Sequence, residues 1–344
     1  MKQFNLQGLV RPNIWNLQPY SSARDEFQGT EGVFLDANEN PYGKFNRYPD
    51  PHQKSLKAAL SELKGIPTEN IFIGNGSDEV IDLIYRVFAN PVKDSVLICP
   101  PTYGMYEVSA NINDVSIVRV PLLNDFQLNT DAVLDKTNKN PDIKIIFVCS
   151  PNNPTGNRLR DIEKLLENFH GIVALDEAYI DFRSDQTFLP KIQSYPNLIV
   201  IQTFSKAWAL AGARVGVAYA QAEIISLFNK VKPPYNVSEP NQKAALKALL
   251  GKNKTFDRVG KIMNEKEFLI GELEKLPVVK KIYPSDANFL LVEVSDANSI
   301  YNQLIDKKII TRNRHTQIEN CIRITVGTYN ENRLLLSELK NISV

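Results

Sequence analysis

The sequence predicts an α/β protein: a large domain built on a mostly parallel sheet with helices on both faces, followed by a smaller α+β domain. Three observations carry that expectation. Between about residues 71 and 217, short apolar runs alternate with helix-period segments. Several of those runs are continuous and β-branched, as strands buried on both faces should be. After KPPYNVSEP the chain changes character, to a Lys- and Glu-rich helical stretch and then short strands and helices. A length of 344 residues also exceeds what one compact core usually holds.

The expected strands are ENIFIG, DSVLICP, VSIVRVPL, IKIIFVCS, GIVALDE, NLIVIQT and RVGVAYA. Between them SDEVIDLIYRVFAN and RDIEKLLENF carry helical spacing with polar starts. Residues 35–238 are therefore assigned to the large domain. Residues 239–344 form the small domain, with 239–276 as a long joining helix, ANFLLVEV, KKIITRN and CIRITVG as strands, and ANSIYNQLIDK and ENRLLLSELKNI as helices. The Pro-, Asn- and Gln-rich residues 1–34 offer no sheet strand and are expected to join the small domain as an arm, or to reach across a dimer.

Composition narrows the functional classes. Hydrophobic residues make up 43% and charged residues 23%, ample for a buried core. Forty basic against 39 acidic residues leave a net charge of +1, so no broad cationic surface for nucleic acid or an anionic membrane is implied. Cys99, Cys149 and Cys321 lie in or beside apolar runs and read as reduced, buried thiols. With His52, His170 and His315 as the only histidines, no Cys/His metal spacing exists, and no metal is expected. The N-terminus has no apolar stretch followed by a cleavage site, and no run approaches membrane-spanning length; the cytosol is the expected compartment.

Ligands of open α/β sheets sit beyond the carboxyl ends of the strands, so the polar residues after each apolar run are the candidates. They are Ser77 and Asp78 in NGSDE, Asn153 in PNNPTG, Asp176 and Tyr179 in DEAY, and Ser205, Lys206 and Arg214 in FSKAWALAGAR. Alone, Lys206 reads as a surface lysine, Asp176 as a turn or capping residue, and Tyr179 and Asn153 as core and turn residues. In this order they supply what a phosphorylated pyridine aldehyde, pyridoxal phosphate, needs. An amine must meet the aldehyde, and the apolar neighbours Trp208, Ala209 and Leu210 would desolvate Lys206 and favour its nucleophilic form. A carboxylate, Asp176, would keep the ring nitrogen protonated. Asn153 and Tyr179 could hydrogen-bond the ring oxygen. The amides opening the helix at Ser77 and Asp78, with Ser205 and Arg214, would take the phosphate. The absence of GxGxxG after the first strand counts against a nicotinamide site.

Over nearly the whole chain these motifs resemble the fold-type I pyridoxal-phosphate aminotransferases, and within them the histidinol-phosphate aminotransferase family. The resemblance rests on LDANENP, RYPDP, NGSDEVIDL, CPPTYGMY, CSPNNPTGN, LDEAYIDF, TFSKAWALAGARVG and RITVGT. It implies that Lys206 is the Schiff-base lysine and proton shuttle, that Tyr103 stacks on the cofactor ring, and that Arg323 clamps the substrate carboxylate. It further implies that Arg312 and Tyr20 help with a substrate phosphate, and that Tyr48 reaches the cofactor phosphate of a neighbouring subunit in a homodimer with shared active sites. The implied reaction exchanges an amino group between glutamate and imidazole-acetol phosphate in histidine biosynthesis. Aromatic aminotransferases and threonine-phosphate decarboxylases share the core motifs and stay open as alternatives; a DNA-binding regulator would need a basic module ahead of residue 35. Ala213, where the family more often has a bulky apolar residue, is a departure read as packing variation.

Overall fold

The computed structural model describes residues 4–20, 32–183 and 186–342. All seven expected strands of the large sheet form: β1 Ile71–Asn75, β2 Ser95–Ile98, β3 Ser116–Arg119, β4 Ile143–Cys149, β5 Ile172–Asp176, β6 Leu198–Thr203 and β7 Val215–Tyr219. Their order is β1-β7-β6-β5-β4-β2-β3. The ladders joining β3, β2, β4, β5 and β6 are parallel, and β7 runs antiparallel between β6 and β1. Alternation along the buried strands explains their unbroken hydrophobicity. Val173 and Leu175 of β5 enter one core with Ile71, Ile73 and Val200, while Ile172 and Ala174 enter the opposite one with Phe72, Ile145 and Ile201.

The helix Ser77–Phe88 shows why the sequence pattern succeeds. Asp78 and Glu79 sit in its first turn and Arg86 in its last, as the helix dipole favours, and Val80, Ile81, Ile84 and Val87 make a buried stripe. Two glycines seat its N-terminus. Gly76 has φ +79, a backbone that side-chain-bearing residues rarely adopt, and a Cβ there would lie 2.5 Å from Arg214 Nη2. A Cβ on Gly216 would lie 2.3 Å from the Gly76 carbonyl carbon and Ser77 N. Close approach of β7 to the turn after β1 thus needs glycine on both sides, and it brings Arg214 to the helix terminus.

The second sheet is antiparallel, ordered β10-β11-β9-β8, with β8 Val279–Ile282, β9 Phe289–Val294, β10 Arg312–Asn313 and β11 Cys321–Thr325. Its core joins Leu290, Val292, Ile322 and Ile324 to Leu269, Ile300 and Leu335 of the neighbouring helices. A smaller cluster, including Tyr179, Phe182, Val259 and Phe289, packs the two parts of the chain together.

Several details differ from the sequence reading. The stretch 239–276 is two helices, Glu239–Leu250 and Lys252–Leu273, interrupted at Gly251. The first of them packs Ala245 and Leu249 into the large-domain core, although 239 onward was expected in the small domain. The N-terminal arm also joins the large side: Val10 and Ile14 are buried with Val80, Ile84 and Phe228, and Arg11 N donates to Val87 O at 2.9 Å. Residues 21–31 of that arm lie outside the described residues. The expected strand KKIITRN shrinks to Arg312–Asn313. Its first half closes the preceding helix, with Lys308 at φ +61 and Ile309 N donating to Leu304 O. Strand β8 was missed because VKKI is an edge strand whose lysines hide the apolar alternation. The three cysteines are free and buried.

Candidate active site

The carboxyl ends of β4, β5 and β6 and the turn after β1 open onto a cavity of about 380 Å³, closed on its far side by β10, β11 and the turn between them. Ser77, Asp78, Tyr103, Asn153, Asp176, Tyr179, Ser205, Lys206, Arg214, Arg312 and Arg323 all line it, so eleven of the thirteen expected residues converge. Tyr48 does not. It stacks on Tyr235, ring centroids 4.3 Å apart, outside its own chain's cavity. Tyr20 is 74% exposed and also stands apart.

Asp176 ends β5 and is buried. Its Oδ1 accepts from Ala178 N at 2.9 Å and its Oδ2 from Tyr106 Oη at 2.7 Å. Burial raises its pKa above the ordinary carboxylate value, and the two hydrogen bonds oppose that shift. Tyr106 was not singled out in the sequence; a wholly buried aromatic in the first turn of the helix Met105–Ile112 carries no signal of its second role. Tyr106→Phe is expected to lower thermal stability by about 1–3 kcal/mol, the usual cost of orphaning a buried hydrogen-bonding group. Calorimetry of the variant against wild type measures it.

Lys206 lies three residues beyond β6, its Nζ 5.5 Å from the Tyr179 ring centroid. Solvent reaches the side chain through the open cavity. Even so, desolvation by the cavity walls, and then Arg323, lower its pKa, with Asp176 and Asp78 opposing. The cause differs in part from the sequence reading: Trp208 turns away into the core, donating from Nε1 to Asp181 Oδ2 at 2.8 Å. The loop that carries Lys206 holds two non-glycine residues in the left-handed region, Ala209 at φ +58 and Arg214 at φ +49. Such strain is typical of functional loops, and here it aims the Arg214 guanidinium at the helix terminus beside Gly76.

At that end Arg214 Nη2 donates to Asp78 Oδ2 at 3.1 Å, its Nη1 stands 3.5 Å from Ser205 Oγ, and Tyr103 Oη donates to Asp78 Oδ1 at 3.2 Å. At the other end Arg323 Nη1 donates to Asn153 Oδ1, which leaves the Asn153 Nδ2 as a spare donor. Tyr179 packs edge-on to Phe289, and burial raises its pKa, so it is a neutral phenol able to donate. Among the described residues, Lys206, Arg214, Arg312, Arg314 and Arg323 share the cavity with two carboxylates, Asp78 and Asp176. The cavity is built to receive anions. Arg314 was missed in the sequence: it lies just beyond the two-residue strand β10, at the start of the turn leading to β11, and only the fold brings it to the cavity that Arg312 lines.

The residues present fit pyridoxal phosphate on this chemistry: an amine of lowered pKa, a buried carboxylate, two hydrogen-bond donors beside it, and a glycine-seated helix terminus with a guanidinium for the phosphate.

Comparison with known proteins agrees. Residues 28–339 match the family model described as aminotransferase class I and II. The chain is 53% identical to a protein named histidinol-phosphate aminotransferase from Cytophaga hutchinsonii, covering 98% of this chain and 99% of that one. Among solved structures it resembles the histidinol-phosphate aminotransferase from Clostridium acetobutylicum, with a TM-score of 0.79 at 25% identity over 86% of this chain and 90% of the other. It also resembles the enzyme of that name from Sinorhizobium meliloti, solved in complex with pyridoxal-5'-phosphate, with a TM-score of 0.77 at 25% identity over 89% of each.

Proposed function

The chain belongs to the class I and II aminotransferases, and from that premise we propose that it is a histidinol-phosphate aminotransferase with pyridoxal phosphate as its cofactor. It moves an amino group from glutamate to imidazole-acetol phosphate, giving 2-oxoglutarate and histidinol phosphate in histidine biosynthesis. The observation that carries this reading is the arrangement of charge in the cavity. Lys206 lies within electrostatic reach of Arg214 at one end and Arg323 at the other, with Asp176 buried beside it.

Bound pyridoxal phosphate supplies an electron-accepting ring that lets the α-carbon of an amino substrate give up its proton. Ser205, Arg214 and the amides at Ser77 and Asp78 hold the phosphate. Asp176 keeps the ring nitrogen positive, held in line by Tyr106 and Ala178. Asn153 and Tyr179 would hydrogen-bond the ring oxygen, and Tyr103 would pack against the ring. Lys206 Nζ takes the proton from the donor's α-carbon in one half-reaction and returns a proton to the acceptor's in the other. Arg323 binds the carboxylate of glutamate; Arg312, helped by Tyr20, meets the phosphate of the alternate substrate, whose charge a planar guanidinium also suits. Tyr48 serves the cofactor phosphate of a neighbouring subunit, so the working unit is a homodimer with shared active sites. The enzyme works in the cytosol on small-molecule substrates, without nucleic acid or membrane.

Relatives of about half identity favour neither the aromatic aminotransferase nor the threonine-phosphate decarboxylase alternative. The deciding experiment is a single-turnover assay of the yellow holoenzyme with histidinol phosphate, phenylalanine and threonine phosphate in parallel. Histidinol phosphate is expected to react fastest, with no carbon dioxide released from threonine phosphate. A preference for phenylalanine, or release of carbon dioxide, would replace the reading.

A further inference from the structure

Three guanidinium groups share one wall of the cavity, and among the described residues none of them is paired with a carboxylate. Arg312 and Arg323 stand directly opposite each other in the β10–β11 register. Like charges placed so across strands destabilise a sheet. Arg314 lines the same cavity two residues on from Arg312. The Nε atoms of Arg314 and Arg323 are buried without a hydrogen-bond partner. The carboxylates that line the cavity are engaged elsewhere, Asp78 by Arg214 and Tyr103, and Asp176 by Tyr106 and Ala178. What this wall has instead are neutral acceptors: Asn153 Oδ1 for Arg323, and Gln317 Oε1 at 3.4 Å for Arg314. Burial and the two neighbouring arginines push the Arg314 pKa down to about 10, which still leaves it charged at neutral pH.

We propose that Arg314 is a specificity-determining residue: with Arg312 and Arg323 it makes a wall for a phosphomonoester dianion, at the opposite end of the cavity from Arg214. The inference rests on the amino-transfer reading for the identity of the substrate. One carboxylate offers two oxygens and a single charge, enough for the fork of Arg323 alone. Three guanidinia exceed it. A phosphomonoester offers three terminal oxygens and nearly two charges. The backbone of Arg314 is also fixed beforehand, its N donating to Cys321 O at 2.9 Å and its O accepting from Gln317 N and Ile318 N at 2.8 Å each. The guanidinium is therefore delivered from a hydrogen-bonded turn, which lowers the ordering cost of gripping an anion.

The test uses holoenzyme carrying Arg314→Gln or Arg314→Lys, assayed with histidinol phosphate and with glutamate. The ratio of kcat/KM for histidinol phosphate to that for glutamate is expected to fall roughly ten- to a hundredfold in Arg314→Gln, as loss of a charge-assisted hydrogen bond predicts, and mainly through KM. Arg314→Lys keeps the charge and should recover part of the ratio. Inorganic phosphate should compete with histidinol phosphate in the wild type while the cofactor absorbance stays unchanged, and its inhibition should weaken at least tenfold in Arg314→Gln. A ratio within twofold of wild type, or equal losses for both substrates with phosphate inhibition unaltered, would overturn the proposal. Should the wild type not use histidinol phosphate at all, the functional reading fails by itself. Binding of inorganic phosphate to wild type and Arg314→Gln, followed by thermal shift, then still decides Arg314.

Discussion

Lys206→Ala is expected to lower kcat by at least ~10³-fold, because on the proposed reading it removes both the group that carries the proton and the amine that holds the cofactor. The site gives no substitute. The other basic side chains lining the cavity, Arg214, Arg312, Arg314 and Arg323, are guanidines and not amines, and the neighbouring Tyr179 phenol is raised further from titration by its burial. Two measurements separate the two roles of the lysine. Steady-state turnover reads the proton transfer. Borohydride treatment followed by peptide mass analysis reads the attachment, which should fix pyridoxal phosphate to the peptide holding residue 206 in the wild type and to no peptide in the variant. Full activity in Lys206→Ala would remove the basis of the assignment. Since the side chain is reached by solvent and makes no hydrogen bond among the described residues, its truncation should leave folding intact.

Asp176→Asn is the second large effect, a loss on the order of 10²–10³-fold in kcat. The amide is nearly the same shape but cannot balance a positive ring nitrogen. The same variant makes a prediction about stability whose sign follows from burial. Asp176 titrates above its ordinary value of 3.8 in the folded chain because burial disfavours its charge. A raised carboxyl pKa contributes stability that is fully present below the unfolded value and is lost as pH rises through the folded one. In the cofactor-free protein the difference in stability between wild type and Asp176→Asn should therefore move in favour of the variant as pH climbs from about 4 towards neutrality. Thermal unfolding of the two apoproteins across that range tests it, and a difference that is flat with pH would show that Asp176 is not held against its charge. With cofactor bound the trend should weaken, since the carboxylate then has a cation to meet.

The chemistry of the site was largely legible in the residues. Asn153, Asp176, Tyr179, Ser205, Lys206 and Arg214 follow strand ends in a fixed order, and a parallel sheet brings its carboxyl ends together whatever the loop lengths between them. Arg323 could be named because a short motif, RITVGT, surrounds it. Arg314 and Tyr106 escaped for different reasons. The first lies in a segment whose extended stretch is only two residues long, too short for alternation to register. The second is a core tyrosine whose hydroxyl happens to meet Asp176.

By itself the sequence determined the seven strands of the large sheet: six are buried along nearly their whole length and so read as apolar runs, while the edge strand β3, exposed at Ser116 and Arg119, is marked by its β-branched centre. It also pointed to the proposed anchors of the cofactor, because polar residues of the required kinds follow successive strand ends, which a parallel sheet gathers along one edge. Tertiary structure alone decided where the arm and the helix Glu239–Leu250 pack: each has an apolar stripe that either core could bury, and only the fitted surfaces choose the large one. The three-arginine wall was likewise a decision of the fold. It depends on the register that sets Arg312 opposite Arg323, and register is fixed by pairing between distant segments, which local pattern does not encode.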